Sequence, residues 1–348
     1  MLPVFAYRKL YPSLREHRLV EADVRSLLAE TLEERYIAPQ KAGYGNPLAY
    51  AQRHFFSILF LSIYRAIGIP AERRQHYGLI NHCLRGIVTG ADNLLDNEYK
   101  ELLPLDFPAA AVRFKSVMHI LVFDRFLYRA GRRMQEAGLL DAPGVDRLHD
   151  ALFRAIVPIG AEEAGEEGGV GAILTPQEIL SSVHMYKGGK LLCLSFVAPR
   201  LLEREYGRAL LRAEQGIYSI GLALQIIDDL TDFYEDIRAG NHNYLVSSIF
   251  HGGGQHEREK LRSARRARPA DGEAIEKAYS ETVRRVMAEA IGEALHGFAL
   301  LEEAGYWFNR EQALALIRNL FILRGVRGLL PFFPEDPAVT ELLHHAAP

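Results

Sequence analysis

Residues 223–240 read ALQIIDDLTDFYEDIRAG and place five acidic side chains within nine consecutive positions. Asp228, Asp232 and Asp236 are spaced four residues apart, so on an α-helix they share one face. Like charges at this spacing repel each other, and the flanking leucines and isoleucines disfavour simple exposure of the whole stretch. The pattern therefore predicts a helix whose acidic face holds something cationic.

A second acidic pair lies far away in the chain, in residues 90–100 (GADNLLDNEYK), where Asp92 and Asp96 have the same spacing. Oxygen ligands on rigid helices suit Mg²⁺, which binds through a few carboxylates and completes its shell with waters and substrate phosphates. We interpret the two acidic faces as opposite sides of a cage for several Mg²⁺ ions and a diphosphate. The alternative is two solvated helix faces, which is the usual explanation of a charge run. The apolar neighbours of both clusters favour the metal cage.

Helical periodicity dominates the rest of the chain and predicts an all-α fold. A single-domain bundle over residues 1–348, in which the two acidic helices face each other across a central active-site cavity, fits better than two domains. The N-terminal ~20 and C-terminal ~15 residues are expected to be peripheral to this bundle. Residues 175–178 (TPQE) predict a capped helix start, and Gly68 predicts a helix end. Residues 161–171 are expected to form a surface loop, and residues 251–271 a loop or short frayed helix. Helices are predicted at roughly 20–35, 48–68, 71–97, 108–137, 144–158, 176–203, 206–237, 272–304 and 310–329.

Composition excludes several classes of protein. A net charge of −3 argues against a broad basic surface for nucleic acid. The N-terminal residues lack the apolar core of a signal peptide, and no stretch has the length and apolarity of a transmembrane helix. Cys83 and Cys193 are too few for a disulfide framework, so a reducing, cytoplasmic setting is the expectation.

These motifs resemble those of the class I isoprenoid synthase superfamily, which includes trans-prenyltransferases, squalene and phytoene synthases and class I terpene cyclases. Residues 228–232 (DDLTD) are similar to the DDxxD motif of trans-prenyltransferases. Residues 92–96 (DNLLD) resemble a weakened DDxxD in which Asn93 replaces the second acid. A pattern similar to that of phytoene synthases is carried by Gln225, Asp228, Asp232, Glu235, Asp236, Arg238 and Gly240.

Residues 186–190 (YKGGK) look like the lysine-containing helix that prenyltransferases place near the allylic diphosphate. The glycines permit close helix approach or a local break, and the lysines would meet phosphate oxygens as point charges. Surface lysines are the alternative. The resemblance implies that metal is held by Asp92, Asp96, Asp228, Asp232 and Asp236, and that Asp92, Asp96, Asp228, Asp232 and Lys187 are catalytic. It further implies substrate contacts for Lys187, Lys190, Gln225, Arg238 and Arg324, with Phe56, Phe60 and Phe123 as cavity-wall aromatics, for which core packing is the alternative.

Two departures from the elongating prenyltransferases concern the second substrate. Their basic GGKRxRP-like segment, which grips isopentenyl diphosphate, corresponds here to residues 43–48 (GYGNPL), which carry no basic pair. Their two arginines after the first acidic motif correspond to residues 99–103 (YKELL). A buried diphosphate needs its own cations, so this chain is expected to bind only one strongly, unless Lys41, Arg53 or Lys100 compensates.

We therefore expect a Mg²⁺-dependent enzyme that ionises an allylic prenyl diphosphate and then cyclises it or eliminates a proton, as a terpene synthase does. The first alternative is prenyl transfer, by head-to-tail elongation or head-to-head condensation. An alternative of another class is a non-catalytic partner subunit of a prenyltransferase. The resemblance also implies a homodimer.

Overall fold

The regular secondary structure of the described residues is helical. The computed structural model of the chain describes residues 4–39, 47–95, 99–267, 272–323 and 327–333. Within them the backbone forms fifteen α-helices, two π-helical segments and three short 3₁₀ helices. The β-type pairing among these residues is a single bridge between Ile37 and Leu105. The predicted all-α class is confirmed.

The first eight α-helices are α1 (Val4–Thr31), α2 (Pro47–Arg53), α3 (Phe55–Ile67), α4 (Ala71–Leu95), α5 (Val112–Glu136), α6 (Ala142–Gly165), α7 (Pro176–Glu178) and α8 (Leu191–Leu202). The other seven are α9 (Gly207–Thr231), α10 (Phe233–Ala239), α11 (Tyr244–Gly252), α12 (Gln255–Ala267), α13 (Ile275–Ala278), α14 (Ser280–Glu303) and α15 (Arg310–Leu323). The π-helical segments, Ile179–Val183 and Met185–Lys190, lie between α7 and α8. The 3₁₀ helices are Glu34–Tyr36, Arg204–Tyr206 and Arg327–Phe332.

The described residues divide into two compact units. The N-terminal unit comprises Val4–Phe153 and Leu194–Leu210, and the C-terminal unit comprises Arg154–Cys193 and the described residues from 211 onward. Each unit therefore contains segments that are distant in the sequence. The arrangement of the chain as one domain around a central cavity stays a prediction.

In the N-terminal unit, glycines on α4 let α5 pack closely against it. A Cβ atom at Gly86 would lie 2.1 Å from the ring of Phe123, and one at Gly90 would lie 2.8 Å from Ile120. Phe123 is fully buried in this contact. Because these two glycines have no side chains, Phe123 and Ile120 can pack directly against the backbone of α4.

The N-terminal ~20 residues are not peripheral, and this expectation was wrong. Helix α1 begins at Val4 and continues through Pro12 to Thr31. Leu10, Leu14 and Val20 are buried in the N-terminal unit. They are four and six residues apart with polar residues between them, so a search for continuous apolar runs does not detect the buried face of this helix.

The apolar helix α3 is a core helix of this unit. It has 13 residues, and Ile58, Leu61 and Ile63 are almost fully buried. Gly68 ends it with a φ of 101°, as predicted, because this left-handed conformation favours glycine. None of the helices in the described ranges has both the length and the apolarity that crossing a membrane requires.

In the C-terminal unit, α9 is packed closely on two sides through glycines. A Cβ atom at Gly216 would lie 2.6 Å from the carbonyl oxygen of Gly297 on α14. On another side, a Cβ atom at Gly188 would lie 2.4 Å from the carbonyl oxygen of Gly221. The prediction that the glycines of YKGGK permit close helix approach is confirmed.

The predicted capping box at residues 175–178 is also confirmed. The Oγ1 of Thr175 accepts a hydrogen bond from the backbone nitrogen of Glu178 at 3.3 Å, and Glu178 Oε2 accepts one from the backbone nitrogen of Thr175 at 2.8 Å. The helix that follows is not uniform, because its second and third turns are π-helical. Such turns take an extra residue each, which periodicity alone does not reveal.

Both predicted loops contain more helix than expected. Helix α6 continues through Pro158 to Gly165, so residues 161–165 of the predicted loop are helical. Residues 255–267 form the 13-residue helix α12, where a loop or frayed helix was predicted. Buried Glu257 on α12 accepts hydrogen bonds from the backbone nitrogens of Glu281 and Thr282 and from the Thr282 hydroxyl. This tertiary anchor stabilises a helix whose composition alone suggests a loop.

Candidate functional site

Three carboxylates follow one another at single-turn intervals where α9 meets α10. The backbone nitrogen of Asp232 donates to the carbonyl of Asp228 at 2.9 Å, and that of Asp236 donates to the carbonyl of Asp232 at 2.8 Å. Helical hydrogen bonding thus continues through the junction between the two helices. Asp228 and Asp236 are half-buried, and Asp232 is exposed. Successive aspartates are therefore one backbone turn apart, and the shared acidic face of their side chains stays a prediction.

Asp229, the second acid of the DDLTD stretch, has a different environment. It is buried, and its Oδ2 accepts hydrogen bonds from His184 Nε2 at 3.0 Å and from the backbone nitrogen of Tyr244. Its Oδ1 accepts a hydrogen bond from Gln225 Nε2 at 3.3 Å. Because a carboxylate only accepts, His184 carries its hydrogen on Nε2 in this pair. Asp229 is thus held by three donors and stabilises the packing around α9.

Asn243 holds the acidic cluster together, and the sequence analysis missed it. Its Nδ2 donates to the carbonyl oxygen of Asp229 and to Oδ2 of Asp236, both at 2.7 Å. Its Oδ1 accepts from the backbone nitrogen of Val246 at 3.0 Å and so caps α11. An asparagine immediately before an apolar helix was the available signal, since asparagine is a preferred N-cap residue.

The pKa of the Asp236 carboxyl is raised in this cluster. Burial raises the pKa of the Asp236 carboxyl from 3.8 to about 7, and the charges of Asp229 and Asp232 add to this rise against the hydrogen bond from Asn243. Carboxyls that share a site behave in this way when no cation neutralises them. Mg²⁺ favours oxygen ligands, and its binding by Asp228, Asp232 and Asp236 stays a prediction.

We expect Mg²⁺ binding to weaken on acidification below pH 7. Asp236 binds a proton there, so the ion must displace it, and the apparent affinity should fall by up to about tenfold per pH unit and level off above pH 7. Calorimetric titration with Mg²⁺ at several pH values measures this. The variant Asp236→Asn has no proton to displace at this position and should lose this component of the pH dependence.

The same shift has the opposite effect on stability in the metal-free protein. The folded state keeps a proton on Asp236 to about pH 7, whereas the unfolded chain releases it near 3.8. This group therefore makes folding less favourable as the pH rises between these two values.

A wild-type Mg²⁺ affinity that does not change with pH would contradict the assignment of Asp236 as a ligand.

Lys187 is paired with two glutamates. Its Nζ lies 2.6 Å from Oε2 of Glu166 and 3.0 Å from Oε2 of Glu163. Only 14% of the Lys187 side chain and 8% of the Glu166 side chain are exposed. Burial lowers the pKa of Lys187, but the two carboxylates outweigh it and raise the pKa above its usual value. The observed role of Lys187 is an ion-paired link to the end of α6, and its contact with a diphosphate stays a prediction.

The other predicted substrate contacts have varied surroundings. Lys190 is exposed, and its Nζ lies 5.9 Å from the centre of the Tyr218 ring. Gln225 Nε2 donates a hydrogen bond to Asp229 Oδ1. Arg238 is exposed near the end of α10, and Arg324 lies outside the described residues. Their roles in substrate binding stay predictions.

The first acidic motif lies at the end of α4 in the N-terminal unit. Asp92 is half-buried, and Asp96 lies outside the described residues. Asn93 is buried and makes two hydrogen bonds with the backbone of Lys100, at 3.1 and 2.9 Å. Asn93 therefore fastens the chain that follows α4, just as Asp229 fastens α9. That Asp92 and Asp96 face the second cluster across a cavity stays a prediction.

The predicted cavity-wall aromatics include core residues. Phe123 contacts Phe126 edge to face at a centroid distance of 5.8 Å. Phe60 contacts Phe196 edge to face at a centroid distance of 6.4 Å. The rings of Phe60 and Phe56 are tilted relative to each other, also at a centroid distance of 6.4 Å. Phe123 and Phe60 are buried, whereas Phe56 is half-buried. Core packing accounts for Phe123 and Phe60, and a contact of these three rings with substrate stays a prediction.

The N-terminal unit contains a cationic region around Arg85 that the sequence analysis did not assemble. Burial lowers the pKa of the Arg85 guanidinium and the charge of Arg53 lowers it further, whereas the charge of Glu21 raises it. Arg85 makes no hydrogen bond or ion pair with the part of the chain that the structure describes. Burial also lowers the pKa of the nearby His54 to about 4 and that of His82 to about 3. The positive charge at neutral pH therefore resides on the two arginines, and the region fits an anion.

A cavity adjoins Asp236 in the C-terminal unit. It has a volume of about 210 Å³, and Asn241 and Asn243 line it. Arg265 and Arg266, from the last turn of α12, also line it. The basic run of residues 258–268 thus brings two guanidinium groups to the edge of the acidic cluster.

Solved structures with this fold include several prenyl diphosphate synthases. The geranylgeranyl pyrophosphate synthetase of Pyrococcus horikoshii Ot3 superposes with a TM-score of 0.58 at 17% identity, over 91% of this chain and 98% of that chain. A decaprenyl diphosphate synthase of Rhodobacter capsulatus gives a TM-score of 0.56 at 15% identity, over 97% of this chain and 100% of that chain. The polyprenyl synthase of Caulobacter crescentus CB15, in complex with calcium and isoprenyl diphosphate, gives 0.52 at 17% identity, over 87% and 97%.

No protein-family model and no curated protein matches the chain. The structural likeness, at these identities, shows the fold. That fold is the all-α fold of the class I isoprenoid synthases, as the acidic motifs predicted.

Proposed function

We propose that the protein is a Mg²⁺-dependent enzyme that acts on an allylic prenyl diphosphate, and that its reaction is prenyl transfer to a second diphosphate substrate. The observation that carries the proposal is the stack of Asp228, Asp232 and Asp236 in the fold that prenyl diphosphate synthases share. The lack of basic pairs in residues 43–48 and 99–103 favours cyclisation or elimination, with prenyl transfer as the first alternative. The shared fold and the cationic region around Arg85 support the alternative better.

The acidic face is the proposed site of ionisation. Bound Mg²⁺ supplies a Lewis acid that neutralises the diphosphate as it leaves the allylic carbon. Asp228 and Asp232 would hold the ions, together with Asp236 once it has lost its proton. Asn243 keeps Asp236 in place through its 2.7 Å hydrogen bond, and Asp229 keeps α9 in place. Arg265 and Arg266 offer cations to phosphate oxygens at the edge of this cluster.

The region around Arg85 is the proposed site of the second substrate. Prenyl transfer needs a second diphosphate, isopentenyl diphosphate for head-to-tail elongation, and a buried diphosphate needs its own cations. Residues 43–48 carry no basic pair, but Arg53 is one of the residues that could supply the missing positive charge. Arg53 lies close enough to Arg85 for its charge to lower the pKa of Arg85. Guanidinium groups bind phosphate oxygens through paired hydrogen bonds, and the two arginines here share the single charge of Glu21, which leaves an excess of positive charge for a diphosphate.

Two other functions are kept as alternatives. Cyclisation or elimination remains the second candidate, because residues 99–103 lack the arginines of the elongating enzymes and Asn93 engages Lys100. A non-catalytic partner subunit would have no use for three carboxylates that repel one another on one face.

Assembly and cellular setting also belong to the proposal. A homodimer would cover the exposed apolar side chains on one face of α5, which are Phe114, Val117, Leu121 and Tyr128. A reducing, cytoplasmic setting is proposed on the two cysteines, neither of which forms a disulfide.

Product analysis with and without isopentenyl diphosphate tests the proposed reaction. We expect geranyl, farnesyl or geranylgeranyl diphosphate to be converted into longer prenyl diphosphates only when isopentenyl diphosphate and Mg²⁺ are both present. A hydrocarbon or alcohol released from the allylic substrate alone would reject prenyl transfer and establish the cyclase function. The absence of any Mg²⁺-dependent release of diphosphate would favour the partner subunit.

We expect Arg85→Ala to raise the KM for isopentenyl diphosphate about 10- to 100-fold, because a charged hydrogen bond to phosphate is lost. The KM for the allylic substrate should change little. Arg132→Ala is the matched control, since Arg132 is an exposed arginine of the same unit whose hydrogen bond within the described ranges is to Gln135. Equal effects of Arg85→Ala on both substrates, or none on either, would reject the assignment of the second site.

A further inference from the structure

A second group of metal-ligating side chains lies in the N-terminal unit. His17 and Glu21 are one turn apart on α1, and His54 lies between α2 and α3. One nitrogen of each histidine and one carboxylate oxygen of Glu21 all lie within 4.8 Å of one another. Both histidines are buried, and Glu21 is half-buried. Three ligands from two separate segments thus converge on one point.

Tyr50 on α2 orients two of these ligands. Its hydroxyl donates to Glu21 Oε2 at 2.8 Å and lies 2.7 Å from Nδ1 of His17. A hydroxyl has one hydrogen to donate, so His17 must carry its hydrogen on Nδ1 and donate it to the Tyr50 oxygen. Nε2 of His17 is then left with a lone pair. Metal-binding histidines are commonly held in this way, with the second nitrogen hydrogen-bonded by a neighbouring group.

Buried nitrogens in this cluster have no hydrogen-bond partner. Nε2 of His17 and Nδ1 of His54 are both enclosed and unsatisfied, and so is Nδ1 of the neighbouring His82. The Nε2 of His54 lies 3.4 Å from Oε1 of Glu21. A buried polar atom without a partner destabilises a fold, so an unsatisfied nitrogen on each of the two histidines indicates that a ligand completes the site.

We propose that His17, Glu21 and His54 bind a transition-metal ion of the Zn²⁺ type. Two imidazole nitrogens and one carboxylate are a common donor set for Zn²⁺, in which a water or another ligand takes the fourth position. Mg²⁺ disfavours nitrogen ligands, so this site differs in chemistry from the acidic cluster. The bound ion would join α1 to the junction of α2 and α3.

Neighbouring charges determine the fourth ligand. Arg18, Arg25 and Arg53 act electrostatically on Glu21, and Arg85 acts on His17. A dication held by one carboxylate among these arginines has an excess of positive charge. The fourth position therefore takes hydroxide or another small anion, whose charge the guanidinium groups stabilise.

The test uses the full-length protein after removal of metal with a chelator. Calorimetric titration with Zn²⁺ alone should show one site per chain, and Co²⁺ should give the visible absorption of a tetrahedral site. His17→Gln and His54→Gln should each weaken Zn²⁺ binding at least 100-fold and remove the rise in Tm that Zn²⁺ causes. Tyr50→Phe should weaken binding about 10- to 100-fold, because it removes the group that orients His17 and Glu21.

The matched control is His119→Gln, which removes a buried histidine of the same unit outside the cluster and should leave Zn²⁺ binding unchanged. Asp228→Ala should also leave it unchanged, so the failure of this site is distinguishable from failure of the proposed function. If His17→Gln does not fold, Glu21→Gln provides the same comparison. No saturable Zn²⁺ binding, equal binding in all variants, or stabilisation by phosphate but not by Zn²⁺ would overturn the proposal.

Discussion

Replacement of Asp228 by alanine should lower Mg²⁺-dependent turnover by about 10²- to 10³-fold or more and leave the Tm unchanged or raised. The loss follows because the ion that neutralises the leaving diphosphate loses a ligand. The stability follows because Asp228, Asp232 and Asp236 repel one another in the metal-free protein, and removing one relieves that repulsion. Release of diphosphate at saturating Mg²⁺ and thermal unfolding without Mg²⁺ measure the two effects.

Two variants of neighbouring acids serve as controls for this result. Glu235→Ala should retain normal turnover, since Glu235 is exposed on α10 and makes no hydrogen bond or ion pair with the described parts of the chain. Asp229→Asn should lower the Tm, since buried Asp229 accepts hydrogen bonds from His184, Tyr244 and Gln225. Near-normal turnover in Asp228→Ala would refute the role of the acidic face.

Replacement of Lys187 by alanine should destabilise the protein by about 3–5 kcal/mol, the range expected when one partner of a buried ion pair is removed. Glu166 is then left buried without its cation, and its Oε1 already has no hydrogen-bond partner. The charge of Glu163, at 3.0 Å from the lysine, also loses its partner. Urea-induced unfolding of the two proteins, compared at equal m-values, measures the difference.

The same ion pair leads to an expectation for a variant in which both partners are replaced. Lys187→Met combined with Glu166→Gln should recover most of the lost stability, because no unpaired charge remains buried. Lys190→Ala, at an exposed position three residues after Lys187, should change stability by less than about 1 kcal/mol. A stable Lys187→Ala protein that binds prenyl diphosphate poorly would instead establish the phosphate contact that the resemblance implies.

The sequence by itself determined the all-α class and some of the helix ends. The capping box at Thr175 and the helix end at Gly68 depend on residues within one turn of each other, and both are found as predicted. Helical periodicity predicted the all-α class but not the start of α1 at Val4 or the helix α12. The predicted face of Asp228, Asp232 and Asp236 also depends on local geometry, because a spacing of four places side chains one turn apart wherever the helix packs. These features are local, and local backbone geometry suffices to predict them.

Only the tertiary structure decided which partners the polar side chains have. Neighbours in sequence differ in role, since Asp228 belongs to the predicted acidic face while Asp229 is held by His184, 45 positions away. Lys187 pairs with Glu166, 21 positions away, and Arg85 lies near Arg53 on a different helix. The physical reason is that burial and electrostatic interactions depend on which segments pack together, and no periodic pattern along one segment records that choice.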